Sequence, residues 1–188
     1  MEKKSDDELY QRFRSGETGA FDELIRRYDE ALLCYLFGLS QDHQDAEDLV
    51  EEAFARILVK KPLIGKGCFK AYLFKTGRHL AFRFLKYRKR EIAFCPEEES
   101  VWEDHSKTDT PERLSLESER KAALYRCLSR IELSLREALC LVYVEGLSYR
   151  EAADIMRVNE KRVNHLLDRG KKQMRIELEK EGVTGVVL

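Results

Sequence analysis

Cationic and aromatic side chains recur at helical spacing between Phe69 and Arg90. Five of them would share one face of a helix: Lys75, His79, Phe82, Lys86 and Lys89. Three further cations flank that face: Lys70, Arg78 and Arg83. Because cations neutralise phosphates and exposed rings stack on unpaired bases, this pattern is typical of a surface for single-stranded nucleic acid. A solvated basic helix without a ligand is the alternative that the spacing leaves open.

Two short amphipathic segments near the end of the sequence have the proportions of a helix-turn-helix. Ser148 can cap the first, a tight turn follows at 157–158, and Asn159 can cap the second. The second helix would bury Val163, Leu167, Gly170 and Met174. Six of its other side chains are predicted to contact the major groove of DNA: Lys161, Arg162, Asn164, His165, Arg169 and Lys172. An ordinary helical hairpin with a charged outer face is the alternative.

Carboxylates cluster at the start of a third amphipathic segment, which is predicted to be helical from Asp45 to Leu58. Asp45 is the expected N-cap of this helix. Four acidic residues form one face: Asp45, Asp48, Glu51 and Glu52. Taken alone, this face is either solvated or a docking surface for a basic partner.

No arrangement in the sequence favours catalysis. We find no glycine-rich phosphate loop, no H-E-x-x-H motif and no nucleophile beside a base. His79 has no second metal ligand three or four positions away. The five cysteines are scattered without a C-x-x-C pair, and Cys34, Cys127 and Cys140 are expected to be buried thiols. We therefore expect no enzymatic activity, no cofactor and no bound metal.

The charges of this 188-residue chain are strongly partitioned although the net charge is only -1. Residues 61–95 carry ten basic and one acidic side chain, and residues 1–60 carry eight basic and fifteen acidic ones. A block of +9 within 35 residues is a local footprint for phosphates whatever the total charge. The acidic remainder predicts weak DNA binding by the isolated protein.

Only 3 Pro and 10 Gly interrupt long runs of helix-forming residues, which predicts an all-α protein of two small helical domains. The first would span residues 1–92. A flexible acidic linker over 93–115 follows, with Pro96, Pro111 and no helical period. Residues 116–188 would form the second domain, which contains the helix-turn-helix. No apolar run approaches the ~20 residues of a membrane span, so we expect a cytoplasmic protein without membrane insertion.

Taken together, these segments resemble the sigma-70 family of bacterial RNA polymerase factors, in particular its extracytoplasmic-function group. The resemblance rests on "AFDELIRRYDEALLCYLF", "DAEDLVEEAFARIL", "FKAYLFKTGRHLAFRFLKYRKR" and "LSLREALCLVYVEGLSYREAADIMRVNEKRVNHLLDRGKKQMR", in this order. It implies that 1–92 is a region 2-like domain that binds core polymerase and melts promoters. It implies that 116–188 is a region 4-like domain.

The resemblance also implies partners and roles. The acidic face would dock on the clamp of core RNA polymerase. The 61–68 loop and the cationic helix would engage and melt the promoter's -10 element, and the helix from Asn159 to Arg175 would read the -35 element. An anti-sigma factor is the expected inhibitor, held between the two domains.

Five positions depart from the family pattern. His79 and Arg83 stand in the melting helix where an Asn and an acidic residue are common. Arg157 replaces a usual glycine in the tight turn, so we expect a positive φ there. Leu166 and Asp168 stand in the last helix where basic or polar groups are common, and Leu166 is predicted to touch a thymine methyl.

Two other classes of protein fit the residues. One is a stand-alone helix-turn-helix regulator that uses residues 1–92 for sensing or dimerisation. The other is an adaptor whose two helical domains bind only proteins. Promoter binding without polymerase would favour the first, and transcription that survives charge reversal of Lys75, Lys86 and Lys89 would favour the second.

Overall fold

The computed structural model describes the backbone of residues 4–94 and 126–181 and the side chains of 4–88 and 126–181. In both ranges every regular element is a helix. The predicted all-α fold of two helical units is therefore confirmed.

Four helices make up the N-terminal half: α1 (Asp6–Arg14), α2 (Thr18–Ser40), α3 (His43–Lys60) and α4 (Phe69–Phe94). The hydroxyl of Ser5 accepts a hydrogen bond from the Glu8 amide and so begins α1. Gly16, at a φ of 113°, turns the chain between α1 and α2. Gln41 ends α2 in the left-handed conformation, at a φ of 62°.

Aromatic rings and a close helix crossing form the core of this half. Phe13 stacks on Phe21 with ring centroids 4.5 Å apart, and Phe54 meets Phe21 edge-on at 6.2 Å. Where α4 crosses α2, a Cβ on Gly77 would lie 3.1 Å from a Leu32 methyl. The crossing holds one face of α4 against α2, so the cationic side chains of α4 lie outside this core.

The described part of the C-terminal half starts with helical residues at 126–129. It continues with α5 (Leu133–Leu139), a π-helical turn (Cys140–Val144), α6 (Tyr149–Met156) and α7 (Glu160–Lys180). Ser148 begins α6 through a reciprocal capping box with Glu151. The Asn159 side chain begins α7 by accepting from the Arg162 amide at 2.8 Å. Both predicted caps are confirmed.

Helices α5 and α7 cross closely because Gly170 has no side chain. A Cβ there would lie 3.1 Å from the Leu139 side chain. The predicted buried face of the last helix is confirmed, because Val163, Leu167 and Met174 are at most 2% exposed and Gly170 is also buried.

Several sequence predictions about boundaries and burial are wrong. Asp42, not Asp45, caps α3, because the Asp42 carboxylate accepts from the Asp45 amide at 2.9 Å. Leu58, the predicted last residue of this helix, is 44% exposed, and α3 continues to Lys60. Cys34 is only partly buried, in contrast to Cys127 and Cys140.

Helix α4 ends at Phe94, four residues beyond the predicted Arg90. The first two residues of the predicted 93–115 linker are therefore helical. The rest of that segment, 95–115, lies outside the described residues.

The two halves contact each other mainly through two pairs of helices. Helix α2 packs against α5, and α4 packs against α6. The second contact brings the helix-turn-helix beside the cationic helix, so the two predicted DNA surfaces are neighbours.

Candidate nucleic-acid interface

The outer face of α7 is the first candidate surface. All six predicted DNA-contacting side chains of this helix are exposed: Lys161, Arg162, Asn164, His165, Arg169 and Lys172. Arg169 makes a 3.5 Å contact with Glu132 at the start of α5. The remaining groups are free to reach base edges or phosphates in a groove that admits one helix.

Leu166 is not part of this surface. It is 2% exposed and belongs to the core. The predicted contact with a thymine methyl is therefore wrong. The buried strip of α7 is wider than the stripe read from the sequence, because Leu166 and Leu178 are buried as well.

The turn before α7 has the conformation expected from the sequence. Arg157 ends α6 at a φ of 57° and a ψ of 45°, in the left-handed region that glycine favours. The Val158 amide donates to the Ala153 carbonyl at 3.0 Å and closes the turn. A side chain at position 157 therefore carries backbone strain that a glycine would avoid.

The second candidate surface is the cationic face of α4. His79, Phe82, Arg83 and Lys86 are exposed. The Arg78 guanidinium lies over the Phe82 ring, 4.3 Å from its centroid. Lys70, Lys75 and Arg78 are only partly exposed, and the side chain of Lys89 lies outside the described residues.

Most of these cations form ion pairs within the protein. Lys70 Nζ lies 3.0 Å from Glu145 Oε2, and Lys75 Nζ lies 2.6 Å from Asp154 Oδ2. Arg83 instead contacts Glu52 of α3 at 3.1 Å. No sequence pattern marked Glu145 or Asp154 as a partner of α4, because both belong to the other half of the chain.

Arg78 belongs to a buried network between the halves. Its Nε donates to Glu137 Oε1 at 2.5 Å, and the Tyr35 hydroxyl donates to the same oxygen at 2.8 Å. The Glu137 side chain is 3% exposed. Burial and the adjacent carboxylate raise the pKa of Tyr35 well above its ordinary value, so this hydroxyl remains a donor.

The acidic face of α3 is only partly available to a partner. Asp48 and Glu51 are exposed, whereas Asp45 and Glu52 are half-buried. Arg88 lies 2.7 Å from Asp45, whose pKa is raised chiefly by burial. Asp45, Asp48 and Glu52 border a groove of about 490 Å³ between α3 and α4, whose apolar lining includes Tyr87.

The loop between α3 and α4 is held by the first helix. The Asp7 carboxylate accepts from the Gly67 amide at 2.8 and 2.9 Å, and the Tyr10 hydroxyl donates to the Pro62 carbonyl at 2.8 Å. Leu63 at the centre of the loop is 84% exposed. No sequence pattern predicted the contacts of Asp7 and Tyr10, which lie 60 and 52 positions from their partners.

Neither a metal site nor a membrane span is found among the residues described. No three His, Cys, Asp or Glu side chains there are grouped to hold a metal ion. None of these helices has the length and apolar composition needed to cross a bilayer.

Each half of the chain matches a known family profile. Residues 24–91 match the family profile "Sigma-70 region 2", and residues 121–174 match "Sigma-70, region 4". The two matches occur in the order predicted from the sequence and include most of α4 and most of α7.

Two relatives illustrate the similarity. The RNA polymerase sigma-H factor of Pseudomonas aeruginosa is 29% identical over 163 residues, which cover 83% of this chain and 84% of the relative. The extracytoplasmic-function sigma factor SigE of Mycolicibacterium smegmatis is 28% identical over 165 residues, which cover 86% of this chain and 62% of the relative.

Two solved structures share the fold. One is the sigma factor RpoE bound to the anti-sigma factor NepR, from Bartonella quintana. It has a TM-score of 0.71 and 23% identity, over 85% of this chain and 96% of that one. The other is CnrH bound to the cytosolic domain of CnrY, with a TM-score of 0.64 and 20% identity. That match covers 93% of this chain and 97% of CnrH.

Proposed function

Because the chain belongs to the extracytoplasmic-function group of the sigma-70 family, we propose that it directs core RNA polymerase to specific promoters and helps to open them. The observation that carries this proposal is the presence, in one chain, of a cationic α4 with an exposed ring and a helix-turn-helix with an exposed outer face. Matches to both regions, in order, favour an initiation factor over a stand-alone regulator.

The two halves have different tasks in this proposal. The 1–92 domain binds polymerase and melts the -10 element, and the 116–188 domain reads the -35 element, with 93–115 as the linker. On α7, Arg and Asn side chains pair with base edges while lysines contact phosphates. On α4, cations follow the separated strand and Phe82 stacks on an unpaired base.

Opening of the duplex requires the polymerase. Unstacking costs a few kcal/mol per base, more than one helix offsets on its own. The exposed carboxylates on α3 support a docking role, because the same acidic groups would repel DNA. The protein itself performs no catalysis, and we infer that it acts in the cytoplasm, where its polymerase is located.

An anti-sigma factor is the proposed natural inhibitor. The similar sigma factor RpoE was solved with the anti-sigma factor NepR bound, and CnrH was solved with the cytosolic domain of CnrY bound. The contact between α4 and α6 must open before an inhibitor could be held between the two halves.

Run-off transcription tests the proposal. Purified core polymerase with and without this protein is given a library of genomic promoter fragments. We expect specific, salt-sensitive transcripts only when both are present. Transcription by core polymerase that is unchanged by the protein, or equally tight promoter binding by the protein alone, would contradict the proposal.

Charge reversal on α3 tests polymerase docking. Asp48→Lys with Glu51→Lys changes two exposed carboxylates, so folding should be unaffected, and co-elution with core polymerase should be lost. Asp29→Lys with Glu30→Lys makes the same charge change at an exposed site on α2 and is the matched control. If both variants co-elute equally well with core polymerase, the acidic face of α3 is not the docking surface.

A further inference from the structure

Three cations of the proposed promoter-melting helix are paired with carboxylates of the other half of the chain. Lys70 contacts Glu145, Lys75 contacts Asp154 and Arg78 contacts Glu137, at 3.0, 2.6 and 2.5 Å. All three acidic residues lie on or beside α5 and α6. We call this arrangement the closed state, and these carboxylates the acidic triad.

The acidic triad occupies the positions in which α4 would otherwise hold phosphates. A carboxylate and a phosphate both accept charge-assisted hydrogen bonds from Lys and Arg. One guanidinium cannot donate fully to both at once. Arg78 illustrates the competition, because its Nε is committed to a Glu137 side chain that is 3% exposed.

The closed state is also too compact to engage a whole promoter. The -35 and -10 elements are separate segments of a duplex that rises ~3.4 Å per base pair, so two surfaces that bind them at the same time must lie apart. An Arg157 guanidinium nitrogen lies 3.4 Å from His79 Nδ1 on α4, and α7 begins at Glu160. Three residues span at most ~11 Å. The start of the reading helix therefore lies beside the melting helix, and the halves must separate before both elements are bound.

The chemistry of the interface permits that separation. Its interacting side chains are largely charged, so water can replace their partners after opening. Arg136, which is 8% exposed, donates to the Gly38 carbonyl across the interface at 2.7 Å, yet its buried Nε has no hydrogen-bond partner. A cleft of about 260 Å³, lined by Lys60, His79 and Arg157 among others, also remains between the halves. An incompletely satisfied buried charge and an unfilled cleft both weaken the closed state.

We propose that the C-terminal half is an intramolecular inhibitor of the N-terminal half, and that the acidic triad competes with DNA for α4. The inference rests on the proposed function and names the regulation of the same surface. Free protein is closed. Opening releases Lys70, Lys75 and Arg78 for the promoter strand.

Neutralisation of the triad in the full-length protein tests this inference without polymerase. The variant Glu137→Gln, Glu145→Gln, Asp154→Asn is compared with wild type for binding to a fluorescent single-stranded oligonucleotide. We expect at least tenfold tighter binding. A matched control neutralises three exposed carboxylates elsewhere, with Asp29→Asn, Glu30→Gln and Glu179→Gln. Its binding should change less than threefold.

A charge swap tests the closed state by a readout other than DNA. Lys75→Asp places two carboxylates together and should increase the radius of gyration in small-angle X-ray scattering. Adding Asp154→Lys restores the opposite charges and should reverse the increase. A radius that is the same in wild type, the single variant and the double variant would overturn the inference.

The two proposals can fail separately. If the triad variant binds the oligonucleotide no better than its control, while wild type still supports promoter-specific transcription, the inhibition is wrong and the sigma function stands. If wild type fails to support transcription with core polymerase, the function itself is wrong.

Discussion

Arg78 and Glu137 form an ion pair between α4 and α5 although they lie 59 positions apart in the sequence. The Glu137 carboxylate also accepts from Tyr35, and Arg78 covers the Phe82 ring. One cation thus touches the aromatic side chain proposed to stack on a base and the carboxylate proposed to exclude DNA. The two groups that a melting helix needs are both engaged within the protein.

Replacement of Arg157 by glycine should stabilise the protein. The left-handed conformation destabilises a residue with a Cβ by roughly 1–2 kcal/mol. Glycine avoids that strain but loses more backbone entropy on folding, which offsets ~0.5–1 kcal/mol of the gain. We expect a net gain of about 0.5–1 kcal/mol in the free energy of urea unfolding. Gln41→Gly, at a similar φ, is the control for a second left-handed helix end. A loss of stability in Arg157→Gly would mean that the guanidinium contributes more than the backbone strain.

Replacement of Asp45 by asparagine should leave stability at neutral pH unreduced while weakening polymerase binding. Burial raises the pKa of this carboxyl above 3.8, so folding favours its protonated form. Stability from that form is complete below the unfolded pKa and is lost as the pH rises through the folded pKa. Urea titrations from pH 3 to 7 would measure the difference between variant and wild type. If the variant became progressively less stable than wild type as the pH rises, the raised pKa of Asp45 would be contradicted.

Two substitutions on α7 should separate DNA contact from core packing. Asn164→Ala changes an exposed side chain, so unfolding should be unaffected while discrimination at one position of the -35 element falls by roughly 1–3 kcal/mol. Leu166→Ala empties a buried site and should cost about 2–5 kcal/mol of unfolding free energy. Promoter competition assays with the polymerase complex and urea unfolding provide the two measurements. The reverse pattern would mean that the face of α7 is wrongly assigned.

The cysteines should differ in their reaction with iodoacetamide. Burial raises the pKa of Cys140 to about 12, whereas Cys68 is exposed. Because the thiolate is the nucleophile, Cys68 should be alkylated at least tenfold faster at pH 8 in the native protein. Mass spectrometry of timed samples checks this, and labelling in urea is the control in which the two rates should converge. Equal native rates would contradict the burial of Cys140.

Release of the 61–68 loop should impair promoter opening more than folding. Asp7→Asn replaces the carboxylate that binds the Gly67 amide, and Tyr10→Phe removes the donor to Pro62. Each hydrogen bond contributes about 1 kcal/mol to stability. We expect modest shifts in urea unfolding and a larger loss of open complex, measured by permanganate footprinting with polymerase present. Glu8→Gln on the exposed side of α1 is the control, and open complex at wild-type levels in both loop variants would exclude a positioning role.

Local patterns predicted the elements better than their partners. Asn159 followed by the stripe Val163, Leu167, Gly170 and Met174 was sufficient to place α7 and its outer face. The start of α3 was misassigned because Asp42 and Asp45 are both good N-caps, and only the backbone decides between them. A helical period also could not exclude Leu166 from the surface, because the width of a buried strip depends on the neighbouring helix.

The ion pairs of the α4 cations could not be predicted from the sequence, for a different reason. Lys70, Lys75 and Arg78 were recognised as candidates for DNA contact from their spacing alone. Their partners lie 75, 79 and 59 positions away, on helices whose approach depends on the packing of both halves. No local period carries that information.

The exposure of Asn164 and its neighbours on α7 contrasts with the engaged cations of α4, and this asymmetry gives promoter search an order. Under the proposed roles of the two helices, a molecule without polymerase presents α7 to duplex DNA while the cations of α4 are paired within the protein. We therefore expect its encounters with double-stranded DNA to be brief and reversible. In this order, α7 would contact the -35 element before the cations of α4 are released, so the promoter sequence is recognised before any base pair is broken.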